Sequence, residues 1–125
     1  MSASETKGAG RALTVGAEQV TTIGKEHTES VGEDHTLSIG KNQTESVGEN
    51  RAVDVGDDDA LKVGKNLVVE AGDSIVLKTG KATISLKKDG TVLIEGKDIT
   101  VKGSGAINVK ASKDVVIKGS KVLQN

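Results

Sequence analysis

The chain has 125 residues with no Phe, Tyr, Trp, Pro or Cys, and 34% of its residues are hydrophobic. The lack of aromatic rings argues against a deep globular core, because these side chains bury the most area per residue. The formal net charge of −1, from 17 basic and 18 acidic residues, gives no electrostatic reason to bind nucleic acid or an anionic membrane. The lack of Cys excludes a disulfide framework and thiolate metal sites.

The N-terminal segment MSASETKGAG contains no apolar signal-peptide core, and the chain has no apolar run of 18 residues. The sequence therefore predicts neither export by the general pathway nor a membrane span. We expect residues 1–9 to be a flexible or cloning-derived N-terminus. Residues 10–125 are predicted to form one β-helical needle, with regular octads to about residue 81 and less regular strands over 82–125.

Glycine recurs every eight residues through most of the chain. Internal repeats decide the fold, and Gly tolerates the backbone angles that a corner needs. The predicted corners are Gly16, Gly24, Gly32, Gly40, Gly48, Gly56, Gly64, Gly72 and Gly80. In seven of these nine octads the residue before the glycine is Val or Ile, which favour strands and point to a core. These predicted core anchors are Val15, Ile23, Val31, Ile39, Val47, Val55 and Val63.

Residues at the same position in successive octads form a column. Two further columns are harder to assign to one face of the predicted strands. One is uncharged and contains Thr28, Thr36, Thr44, Ala52, Ala60, Val68 and Val76. It has the opposite strand parity to the anchors, so both columns face inward only if each corner reverses the alternation. The other column is mixed and contains Glu29, Leu37, Glu45, Val53 and Leu61. The sequence leaves its direction open.

After Gly80 the glycines lose their period, but apolar pairs that skip one residue continue. This alternation is typical of half-buried strands. The pairs are Ile84/Leu86, Val92/Ile94, Ile99/Val101, Ile107/Val109 and Val115/Ile117. No segment has a sustained helical period, so the sequence predicts an all-β fold.

An octad suits one face of a triangular prism, built either by one chain winding as a solenoid or by three chains winding together. The residues that follow the glycines distinguish these: Lys25, Glu33, Lys41, Glu49, Asp57, Lys65, Asp73 and Lys81. Successive members stack in the three-chain form, where six of seven contacts join opposite charges; in the solenoid only two of five do. The sequence therefore favours an intertwined homotrimeric β-helix, in which trimerisation and folding are one event.

The octads at 23–56, IGKEHTESVGEDHTLSIGKNQTESVGENRAVDVG, resemble those of VgrG, the spike protein of the type VI secretion system. The tail ISLKKDGTVLIEGKDITVKGSGAINVKASKDVVIKGSKVLQN is similar to that family's C-terminal end. The resemblance implies a needle at the tip of a contractile apparatus, with transient membrane penetration. It also implies a PAAR-repeat cap, effectors as partners, and a tail tube reached through N-terminal base domains absent from this chain. Assembly in the bacterial cytoplasm and injection into a target cell would follow, and Val122 and Leu123 are the candidate cap interface.

We identify no nucleophile with a base and an orienting group, and we expect no enzyme activity and no cofactor. His27 and His35 share one column and are the candidates for a metal site, but no third ligand has an evident place and a polar column is the simpler interpretation. Two other functions stay open at this point. One is a monomeric ligand- or ice-binding solenoid that displays its Thr column, and the other is the needle of a contractile phage tail.

Overall fold

The computed structural model describes residues 8–125 of the chain. The chain divides into two units, Met1–Asp54 and Val55–Asn125. No helix occurs over 8–125, and so this range contains no helical segment suited to crossing a membrane. The predicted flexible N-terminus lies outside the described residues, except for Gly8 and Ala9.

The backbone bends once in every octad. Each bend lies at the octad glycine and the residue after it, from Gly16–Ala17 to Gly72–Asp73. A further bend at Gly8–Ala9 has the same period, eight residues before Gly16. The period therefore extends one octad further toward the N-terminus than the nine glycines singled out from the sequence.

The octad glycines from Gly16 to Gly72 do not adopt a left-handed backbone. Positive φ angles over 8–125 are found only at Gly80 and Gly90. A Cβ atom built at any glycine from Gly16 to Gly72 would meet no atom within 4 Å in the single chain. Neither backbone strain nor crowding within one chain therefore requires glycine at these bends.

A three-stranded antiparallel sheet follows the last octad bend. Its strands are β1 (Ser74–Thr79), β2 (Ala82–Lys87) and β3 (Val92–Glu95), in the order β1-β2-β3. The alternating apolar residues of these segments favour strands, and the two connections are short enough for hairpins. This fold-back within one chain replaces the continuous winding that the octad pattern predicted through residue 81.

Gly80, expected as a ninth corner, lies instead in the turn that reverses the chain between β1 and β2. Thr79 pairs with Ala82, which leaves Gly80 and Lys81 as a two-residue loop. The φ angle of Gly80 is 52°, and no non-glycine residue over 8–125 has a positive φ. A positive φ at the first loop position only is typical of a type II′ turn, whose twist matches that of a hairpin.

The turn between β2 and β3 is held by hydrogen bonds across the sequence KKDGT. The Gly90 N–H donates to the Lys87 carbonyl at 3.0 Å, and the Lys87 N–H donates to the Thr91 carbonyl at 3.0 Å. Gly90 has a φ of 88°, the left-handed position of a three-residue hairpin loop. The Thr91 N–H donates to the Asp89 carboxylate at 2.9 Å, which fixes the tip of the loop.

No further strand forms within the single chain after Glu95. The segments around Ile99/Val101, Ile107/Val109 and Val115/Ile117 were predicted as strands, but here they only alternate with bends. These bends lie at 97–98, 104–105, 112–113 and 119–120. Isolated segments of this length have no partner for their backbone groups within the chain, and a strand needs a neighbour to hydrogen-bond.

The single chain lacks a core. Over 8–125 no hydrophobic residue is buried, and Ser85 is the one buried polar residue, at 8% exposure. The accessible surface is 14075 Å², whereas a folded monomer of 12.8 kDa exposes roughly 6,300 Å² and its unfolded chain roughly 18,600 Å². Most of the surface that folding normally covers therefore remains available to other molecules.

Replacing Gly90 with Ala should lower the free energy of unfolding by about 1–2 kcal/mol per chain, because an L-residue pays this cost in the left-handed region. Urea unfolding at fixed protein concentration measures the difference. Gly105→Ala is the matched control, since Gly105 has no positive φ and no atom within 4 Å of an added Cβ. Equal losses for the two variants would contradict the role of the Gly90 turn.

The pKa of Asp89 lies below its ordinary value of 3.8, chiefly because the Thr91 N–H donates to the carboxylate. A depressed folded-state pKa gives stability that is present above pH 3.8 and is lost as the pH falls through the folded value. We expect Asp89→Ala to weaken the protein at pH 7 and to flatten its loss of stability below pH 4. Asp89→Asn keeps an acceptor without titrating, so it should flatten the acid response with a smaller loss at pH 7. Acid titrations monitored by circular dichroism test this; unchanged acid responses in both variants would refute it.

Candidate trimerisation surface

The predicted core anchors form the least exposed apolar column of the octads. Their seven side chains are 43–48% exposed in the single chain. In the mixed column, Leu37, Val53 and Leu61 are 60–74% exposed. In the uncharged column, Val68 is 82% exposed. The anchors are therefore partly covered by their own chain, but none of them is buried by it.

Strand β1 shows which columns share a face. Successive residues of a strand point to opposite faces, and residues paired across an antiparallel ladder point to the same face. Ile75, Leu77 and Thr79 pair with Leu86, Ile84 and Ala82, and so lie on one face. By the eight-residue period, Ile75 belongs to the column of His27, Leu77 belongs to the mixed column and Thr79 belongs to the anchor column. In β1, Val76 of the uncharged column lies on the opposite face.

The His27 column and the mixed column also meet in the octads, where they form a polar strip. The Glu29 carboxylate lies 3.8 Å from His27 Nε2 and 3.7 Å from His35 Nδ1. Glu45 accepts a hydrogen bond from Arg51 Nε at 2.8 Å. The pairs His35–Glu29 and Arg51–Glu45 both join residues six apart, across one bend. The same side-chain pairing across a bend therefore recurs two octads later.

The two candidate metal ligands are not assembled into a metal centre. His27 and His35 are 61% exposed and share only Glu29 as an acidic neighbour. Over residues 8–125 no group of three or more His, Cys, Asp or Glu side chains is arranged to hold a metal ion. The geometry is that of two exposed ion pairs, each of which contributes about 0–1 kcal/mol if the histidine is charged.

The backbone of the octads lacks partners in its own chain. From Gly16 to Gly72 no backbone–backbone hydrogen bond occurs. Buried N–H and C=O groups are nearly always paired, because an unpaired one costs free energy comparable to a lost hydrogen bond. Covering the anchors also covers the backbone beside them. The octads can therefore bury their anchors only against a partner that supplies hydrogen bonds as well as apolar surface.

Asp73 forms its ion pair within its own chain. The alternating charges predicted contacts of Asp73 with Lys residues one octad away on other chains. In the structure its carboxylate instead lies 2.8 Å from Lys88 Nζ, and its carbonyl accepts from the Lys88 N–H at 3.0 Å. This pair joins the start of β1 to the end of β2. The pair is not evident from the sequence, because the eight-residue period places Gly80 at a corner and the structure places it in a hairpin turn.

The candidate cap residues are highly exposed. Val122 is 62% exposed and Leu123 is 91% exposed, in a segment without strand structure. No glycine-anchored octad precedes them, and Gly119–Ser120 forms the last bend of the chain. Both side chains are therefore accessible for docking.

Comparison with known families links this geometry to a known assembly type. Residues 3–78, more than half of the 125, match the family described as the bacteriophage T4 gp5 C-terminal trimerisation domain. The chain belongs to this family. A comparison with curated proteins finds no match. A trimerisation domain associates with two further chains, which is consistent with exposed anchors and with an octad backbone that has no hydrogen-bond partner in its own chain.

The match to the gp5 family supports the three-chain form over the single-chain solenoid. It identifies the chain as a trimer-forming β-structure related to the spikes of phage tails. The expected homotrimer and the structural role of a spike are therefore supported. The match ends within β1, so the rest of the sheet and the C-terminal segment lie beyond it.

Substituting Lys into the anchor column should disrupt assembly. We expect Val63→Lys to prevent stable trimer formation, since an unpaired buried charge costs several kcal/mol per chain. Val68→Lys is the matched control: it starts from the same residue type in the next octad, is 82% rather than 43% exposed, and should leave the trimer intact. Sedimentation equilibrium and thermal unfolding measure both variants. A Val63→Lys trimer as stable as the Val68→Lys trimer would show that the anchors do not line the interface.

Proposed function

We propose that the chain is the needle of a VgrG-type spike at the tip of a type VI secretion apparatus. The observation that supports this most is the combination of a gp5-family trimerisation segment at 3–78 with a tail that resembles VgrG. Since fold alone does not fix function, the tail is what favours a secretion spike over other trimeric β-structures.

The mechanism is the delivery of force along a rod of three chains. In the intertwined form each octad pairs its backbone with another chain, so the hydrogen bonds that one chain lacks close around the axis. Such a trimer has no lateral sheet edge along its length, and an exposed edge would invite aggregation. It needs no catalytic group, in keeping with a chain that acts mechanically and is not an enzyme.

The C-terminal end presents the tip. Val122 and Leu123 are apolar and exposed in each chain, and three copies would form a small apolar surface suited to a PAAR-repeat cap. Effectors would bind noncovalently to this needle or its cap. The tail tube would be contacted through N-terminal base domains, and the needle would be assembled in the cytoplasm and injected into a target cell through its envelope.

A second candidate is the needle of a contractile phage tail. It is favoured by the family match itself, whose description names a phage protein. The two candidates share the trimer and the mechanical role and differ in the apparatus that carries the spike.

Binding of the intact 125-residue trimer to the PAAR-repeat proteins of its own genome tests the proposal. We expect one cap per trimer by light scattering after size exclusion. The double variant Val122→Asp/Leu123→Asp should weaken binding at least about tenfold, since two exposed apolar anchors become charged. The Val68→Lys trimer is the control and should bind normally.

Binding of a PAAR-repeat cap that requires Val122 and Leu123 would support the type VI tip. Failure of every such cap to bind a folded trimer at micromolar concentration would reject that function and leave the phage needle. Binding that ignores the double variant would instead reject the assignment of these two residues.

A further inference from the structure

The sheet after the octads has two chemically different faces. One face carries six aliphatic side chains, in the rows Ile75–Leu86–Val92 and Leu77–Ile84–Ile94. Five of them are 41–62% exposed in the single chain and Ile75 is half-buried. The opposite face is mainly polar and carries Ser74, Lys78, Thr83, Ser85, Lys87 and Glu95, with Val76 and Leu93 beside Ser85.

The sheet differs from the octads in making its own backbone hydrogen bonds. Both strand pairs are antiparallel and joined by tight turns at Gly80 and Gly90. The Asp73–Lys88 ion pair closes the open end of the first hairpin. Hairpins involve contacts close in sequence, which form in about 1–10 μs. The sheet can therefore form within one chain, whereas the octads from Gly16 to Gly72 require other chains.

The octads leave one problem unsolved, which is the register of the three chains. Units such as IGKEHTES, VGEDHTLS and IGKNQTES are nearly equivalent. A slip of eight residues places one such unit on another and retains the anchor contacts of most octads. It brings like charges together at most of the positions that follow the glycines, but each such exposed pair contributes only about 0–1 kcal/mol. Repetitive strands specify their register weakly for this reason. The antiparallel pairing of strands over 74–95 occurs once among the residues 8–125, so this sheet can match only itself.

We propose that the apolar face of this sheet binds the same face of two further copies of the chain, and that this contact, formed before the octads associate, sets their register. The proposal rests on the trimerisation assigned above and is independent of the cap. It adds a site that lies largely beyond the family match, since β2 and β3 follow residue 78.

Two observations identify the occupant as the chain itself. The apolar face of the sheet continues the anchor column of the octads, because Thr79 belongs to that column and lies on this face together with Leu77. The match to the trimerisation family also runs into β1. Three such faces around an axis would cover one another, and the charged faces with Lys78, Lys87 and Glu95 would point to solvent.

A matched pair of leucines tests the proposal in the full chain. Leu77 lies on the apolar face of edge strand β1, and Leu93 lies on the opposite face of edge strand β3. Leu77 is the more exposed of the two in the single chain, at 61% against 47%. Packing within one chain therefore predicts that Leu93→Asp is the more harmful change, whereas the proposed contact predicts that Leu77→Asp is.

The assembly rate is measured by refolding from urea, followed by far-UV circular dichroism because the chain has no aromatic residue. We expect Leu77→Asp to slow trimer formation at least about tenfold and Leu93→Asp to change its rate less than about twofold, as for substitutions inside and outside a folding nucleus.

The register of the three chains is measured with a spin label attached at Thr44→Cys, which is the single cysteine in such a chain. A symmetric trimer gives one narrow distance distribution, and octad slips give several.

The Leu77→Asp trimer should give several distances, and the Leu93→Asp trimer one. If Leu77→Asp does not fold at all, Leu77→Ala and Leu93→Ala are compared for refolding rate, and the slower one should be Leu77→Ala. A single distance and a normal rate for Leu77→Asp, or an equal or larger effect at Leu93 in either pair, would overturn the proposal. Such a result leaves the cap experiment unaffected, because none of the trimers used there carries a substitution in the sheet.

Discussion

The structure depends on the burial of an aliphatic residue that recurs every eight positions and that one chain cannot cover. Each anchor, from Val15 to Val63, stays 43–48% exposed. The backbone from Gly16 to Gly72 forms no hydrogen bond with itself. Apolar burial and backbone pairing are therefore needed together, and a partner that supplied only one of them would leave the other unsatisfied. A trimerisation domain supplies identical partner chains, and a chain that needs them for both burial and backbone pairing folds as it assembles.

The same constraint explains why the octad glycines carry no strain of their own. Their φ angles are not positive, and an added Cβ would have open space in one chain. By contrast, Gly80 and Gly90 are needed for turns that a single chain completes. Glycine thus occurs in two different settings in one sequence. At the hairpins it permits a left-handed backbone, whereas at the bends from Gly16 to Gly72 it neither adopts a positive φ nor relieves crowding within the single chain.

The polar strip and the apolar sheet face occupy equivalent columns at different points along the chain. His27 and Glu29 have Ile75 and Leu77 as their counterparts six octads later. The columns are therefore set by the repeat, while their chemistry changes from ion pairs to aliphatic contacts. Because exposed ion pairs contribute little to stability, the aliphatic end of the repeat has the larger driving force for association.

The sequence by itself determined the eight-residue period and the all-β class, and it predicted the trimer that the family match supports, because glycine spacing, Val/Ile placement and alternating charges are local and repeat many times. Only the tertiary structure decided that residues 74–95 fold back into an antiparallel sheet. Gly72 and Gly80 both fit the eight-residue glycine spacing. The chain only bends at Gly72, whereas it reverses direction at Gly80, where φ is 52°. The difference depends on whether the following segment, here β2, pairs with the preceding one, and periodicity does not record that pairing. The same fold-back assigned Leu77 and Thr79 to one face, which strand parity without a known ladder had left open.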